Sequence, residues 1–141
     1  LNQYRTSKKK SWVEKRNCSK PPHVKVIDKD FAGIPAGSKL LISSPPEIDE
    51  FIRSIPKGKL IEPLEMRQKL AKRHHADATC PVSTGIFLRI VVEAALEEYK
   101  SGKPLASITP FWRIIGPNST LSKKLSVSYD EIDFIKRLAS E

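Results

Sequence analysis

The sequence predicts a helix-rich α+β domain with a winged helix-turn-helix centre, a short β wing, a basic N-terminal arm and a C-terminal helix. Three observations carry this. Between Glu62 and Lys100 a helical segment, a turn and a second, capped helical segment follow one another. Ser107 to Ile115 is rich in β-branched and aromatic residues, Gly116-Pro117-Asn118-Ser119 makes a turn, and Leu121 to Val127 is placed to return as a strand. Positive charge is concentrated at one end: residues 1–40 hold 10 basic and 3 acidic side chains, and residues 41–141 hold 15 and 13. A chain of 141 residues is one domain's worth of core plus an arm, so we divide it into an arm with extended segments, 1–40, and a domain, 41–141.

In the arm, Lys8-Lys9-Lys10 and Lys20-Pro21-Pro22-His23 bracket a stretch without sustained periodicity, in which Trp12 is the expected anchor onto the domain. Val24 to Ile27 and Lys39 to Ile42 read as short strands, separated by residues that interrupt any regular element. Ser44-Pro45-Pro46-Glu47 combines an N-cap, prolines in the first turn and a capping Glu, and Ile48, Phe51, Ile52 and Ile55 then form one apolar stripe. Pro56 and Gly58 end that helix. The next runs from Glu62-Pro63 to about His75, with Leu64, Met66, Leu70 and Ala71 inward and Arg67, Lys69, Lys72 and Arg73 outward. Ala76 to Pro81 is a turn, and Ser83 or Thr84 is expected to cap a third helix that runs to Lys100 and stops at Gly102. A second capping sequence, Ser128-Tyr129-Asp130-Glu131, opens a closing helix lined by Ile132, Ile135 and Leu138.

Cys18 and Cys80 are too few for a disulfide framework, which points to a reducing compartment. Arg89 and Glu93 break the longest apolar run well short of a membrane span, and the first residues lack an initiator Met and a secretion signal, so a cytoplasmic location is the expectation. Cys80 precedes a helix N-terminus, a setting that favours a thiolate, with His74, His75 and Asp77 close in sequence; an ordinary packed thiol is the other reading. With His23 added, these residues still lack the spacing of a zinc site, and no cofactor is implied.

Three segments in order resemble the DNA-binding domain of the alkylguanine-DNA alkyltransferases, over about residues 46–116. Ile55-Pro56-Lys57-Gly58-Lys59-Leu60 resembles the family's I-P-x-G-x-V hinge. Thr84-Gly85-Ile86-Phe87-Leu88-Arg89 resembles the V-G-x-A-L-R opening of its recognition helix, and Pro110-Phe111-Trp112-Arg113-Ile114-Ile115-Gly116 resembles its P-C-H-R-V-I-G segment. The resemblance is closest to the small family members that lack the acceptor Cys. Phe111 stands in the place of that Cys and Trp112 in that of the neighbouring His, which removes alkyl transfer. Val82 stands where the family inserts an Arg into the base stack, and Pro63 where it has a Tyr.

The resemblance implies non-enzymatic binding of double-stranded DNA, alkylated or distorted, with other repair proteins as further partners. Ser83, Thr84, Arg89, Arg113, Lys57, Lys59, Arg67, Lys72 and Arg73 are the DNA-contact candidates. Helix N-termini and Lys or Arg side chains bind phosphate. Phe111, Trp112 and Val82 are candidates for a base pocket, although an aromatic pair in an apolar segment equally reads as core. Two other classes stay open. One is a protein–protein adaptor on the same scaffold, with the Lys-rich head a solubilising tail. The other is thiol chemistry at Cys80.

Overall fold

A twenty-residue helix, Pro81–Lys100, buries nine of its residues, and the helices Trp12–Asn17 and Pro45–Ser54 pack directly on it. The computed structural model describes residues 9–17 and 20–141; Lys8 and Cys18 lie outside the described residues. The elements in order are α1 (Trp12–Asn17), β1 (His23–Val26), β2 (Lys39–Ile42), α2 (Pro45–Ser54), α3 (Pro63–Arg73), β3 (Ala78–Thr79), α4 (Pro81–Lys100) and α5 (Tyr129–Leu138). Short 3-10 turns stand at Leu105–Ser107, Phe111–Arg113 and Leu121–Lys123. The chain is thus α+β and helix-rich, with one small sheet of order β1-β2-β3.

β2 is the sheet's centre because Leu40 and Leu41 point to opposite faces and both are buried. It pairs antiparallel with β1, His23 opposite Ile42, and parallel with β3, Leu40 opposite Ala78. β3 lies in the stretch Ala76 to Pro81, expected as a turn. It forms a strand because Asp77 accepts the Lys39 N–H and the Cys80 N–H bonds the Leu41 carbonyl, which satisfies the far edge of β2.

α2 starts as its sequence predicts: the Ser44 hydroxyl accepts the Glu47 N–H at 3.2 Å, and Ile48, Phe51, Ile52 and Ile55 are all buried. Replacing Ser44 with Ala removes this cap and is expected to cost about 1 kcal/mol, measured as a fall in the urea unfolding midpoint at unchanged slope. The Gly58 turn, at φ +82°, carries the chain on to α3. Met66, Leu70 and Ala71 face inward, but Leu64 is 52% exposed. It is the second residue of the helix, on a side of the first turn that the core does not cover.

α4 begins earlier than its hydroxyl residues suggest. Cys80 is the N-cap, its sulfur accepting the Ser83 N–H at 3.5 Å, while the Thr84 hydroxyl turns back to the Cys80 carbonyl at 2.6 Å. Pro81 in the first turn, which needs no N–H there, fixes this start. Leu88, Val91, Val92, Ala94, Ala95 and Leu96 are buried, and Gly102, at φ +99°, ends the helix in the left-handed conformation.

The expected β wing is the main correction. Residues 107–127 contain no strand; they run as 3-10 turns. Pro110 and Pro117 remove ladder donors, and Ile108, Phe111, Trp112, Ile114 and Ile115 are all buried rather than alternating in and out as a half-exposed ribbon would require. The buried Glu93 carboxylate fixes the last turn by accepting both the N–H and the hydroxyl of Ser126, at 2.9 and 2.5 Å. α5 is capped by Ser128 and buries Ile132 and Ile135, whereas Leu138, expected inward, is half exposed at the helix end.

Candidate nucleic-acid interface

The sequence-derived candidates fall into three places. Phe111 and Trp112 are 0% and 4% exposed and meet edge to face at 5.2 Å, so both rings are core. Arg113 beside them turns inward. Its Nε and Nη2 bond the Glu141 carboxylate at 3.0 and 2.6 Å, and its Nη1 bonds the Ile55 carbonyl at 2.8 Å. The Arg113 bonds, with the Gly58 N–H, hold the Glu141 carboxyl down at about 2. This guanidinium ties the Ile55–Gly58 hinge to the end of the chain.

The second group lies on the outer face of α3 and in the hinge. Lys57, Lys59 and Lys72 are exposed. Arg73 reaches Glu50 at 3.2 Å and Glu47 at 3.7 Å, and Lys69 pairs with Glu65 at 3.1 Å. His74 Nε2 lies 2.6 Å from a Glu47 oxygen, so that imidazole is held against α2, and Cys80 is itself only 5% exposed.

The third group gathers at a concavity of about 800 Å³, open to solvent between the start of α3, the first turns of α4 and the 116–124 segment. Val82, Thr84, Arg67 and Arg89 line it. Thr84 is buried with its hydroxyl on its own helix; Ser83 lies half-buried beside it, its hydroxyl oxygen buried without a hydrogen-bond partner. Arg89 is half-buried: its Nε has no hydrogen-bond partner, and its guanidinium carbon lies 5.4 Å from the centre of the Trp12 ring. The positive charges are Arg67, Arg89 and Lys124, against Glu62.

Sequence reasoning missed Leu60, Leu64 and Ile86, which line this groove at 46%, 52% and 56% exposure, and Lys124. With Val82, 55% exposed, they make an apolar floor rimmed by cations. The available signal was that Val82, Ile86 and Arg89 lie three and four residues apart along one face of α4, apart from the stripe of Leu88, Val91, Val92 and Ala95 that the core already takes.

Among the described residues, no helix is long and apolar enough to cross a membrane, and no three His, Cys, Asp or Glu side chains gather as a metal site would require. Comparison of the chain with protein-family models, with curated proteins and with solved structures found no match.

Proposed function

We propose that this chain is a non-enzymatic DNA-binding protein, built like a catalytically silent alkylguanine-DNA alkyltransferase, that holds alkylated or distorted duplex DNA at the groove between α3 and α4. In this reading α3 and α4 are the helix-turn-helix pair, and the 104–127 turns stand where a winged helix has its ribbon. The observation that carries it is the groove: a cavity of base-accepting size, apolar at its floor and cationic at its rim, beside the first turns of α4. Val82 projects there as an apolar wedge in the place of an intercalating Arg. The N-terminal lysines add sequence-independent affinity.

Binding titrations on plain and alkylguanine-containing duplexes at two salt concentrations test it. Salt-dependent binding to both, tighter to the alkylated duplex, is the expected result; equal binding removes lesion recognition, and none removes the DNA reading. Arg67→Gln with Lys124→Gln is expected to weaken duplex binding about tenfold and to lower the salt slope by about 2, at roughly 0.9 per phosphate contact. A protein partner is the second reading, favoured by the exposed Leu60, Leu64, Val82 and Ile86. Partner capture surviving that charge loss but abolished by Ile86→Glu would support it.

A further inference from the structure

A second concavity, of about 370 Å³, lies roughly 100° round α4 from the first, between that helix, the start of β1 and the N-terminal segment. Lys10, Lys15, Lys20 and His23 line it together with Phe87 and Ile90, and no Asp or Glu is among its described lining residues. The lysines gather here because α1 docks on α4 by a different side. Arg16 forms a two-bond pair with Glu98, at 2.9 and 3.3 Å, and the N–H groups of Trp12 and Val13 both donate to the Glu97 carboxylate at 3.2 Å. Burial opposes the charge on Glu98, but the bonds from Arg16 and Lys103 outweigh it and hold its pKa below the ordinary carboxylate range. Trp12 stands between the two concavities. Arg89, which lines the first, lies over its ring at 5.4 Å, and Lys15, which lines the second, at 4.4 Å.

We propose that this second groove binds single-stranded nucleic acid, with phosphates on Lys10, Lys15 and Lys20, one base over Phe87, and the strand leading past Trp12. Cations around an aromatic floor are the combination that tracks an unpaired strand. A cavity of this volume admits a nucleotide, whereas a duplex keeps its base faces stacked and presents none to Phe87. The proposal goes beyond the duplex reading and does not rest on it.

Fluorescence anisotropy of the full chain with a labelled oligothymidylate of about 12 nucleotides, titrated between about 50 and 200 mM salt, tests it. The wild-type chain is expected to bind with a clear salt slope. Lys10→Gln, Lys15→Gln and Lys20→Gln together should weaken binding at least about tenfold and lower the slope by about 2, at roughly 0.7 per phosphate. Phe87→Ala should weaken it about tenfold, with Phe87→Trp restoring most of the loss. Arg67→Gln with Lys124→Gln should leave oligothymidylate binding unchanged, so the result stands whichever way the duplex titration falls. The proposal is overturned by absence of salt-dependent binding in the wild type or by an unchanged slope in the triple-lysine variant. Displacement of the oligonucleotide by polyglutamate at equal charge concentration would also overturn it, and would identify an acidic peptide as the ligand.

Discussion

Arg113→Ala is expected to destabilise the fold by about 3–5 kcal/mol, enough to lower the thermal midpoint by roughly ten degrees or more. The Glu141 side chain is 3% exposed, and without Arg113 its carboxylate is left buried with the Gly58 N–H as its remaining hydrogen-bond donor. Glu141→Gln should cost less, about 2 kcal/mol, because Arg113 keeps the Ile55 carbonyl and some contact with water. The same pair sets an acid limit. The Glu141 carboxyl is depressed from 4.5 to about 2 in the folded chain. Its contribution is therefore complete above about pH 4.5 and is lost as pH falls toward about 2. Urea unfolding between pH 6 and pH 2 should show wild type and Glu141→Gln converging at the acid end. Curves that stay parallel would remove this account.

Phe111→Ala is expected to cost about 3–5 kcal/mol, the range for deleting a fully buried ring and leaving a cavity that the surroundings fill only in part. Loss of the edge-to-face contact with Trp112 adds to it. Duplex binding measured below the lowered thermal midpoint should nevertheless stay within about twofold of wild type, because the ring does not line the groove. The base-pocket reading of Phe111 makes the opposite forecast, a large loss of affinity with little loss of stability. Calorimetry and titration on this one variant therefore separate the two.

α2 and α5 are legible in the chain because each carries its own start signal and stripe, whereas α1 has neither and the start of α4 lies at Cys80 rather than at its hydroxyl residues. Ser44-Pro45-Pro46-Glu47 fixes α2 and Ser128 to Glu131 fixes α5 through local hydrogen bonds that need no tertiary context. The absence of a wing is not legible because β-branched and aromatic content does not distinguish a ribbon from a segment buried on every side. In residues 104–117 the prolines are the better guide. Of the candidate site, Val82 and Arg67 reach the groove, while Arg113 does not. An Arg at a motif position says nothing about a carboxylate 28 residues further on. The groove's apolar floor was hidden for a related reason: Leu64 fits the inward stripe of α3 by period, and only the packing shows that no layer covers that end.

α1 is six residues long, well below the ~12–15 that an isolated helix needs to hold together in water. Its order comes from Glu97 and Glu98, more than 80 positions later in the chain. The concavity lined by Lys10 and Lys15 therefore depends on the far end of α4, and a change at Glu97 or Glu98 reaches it without touching a single lining residue.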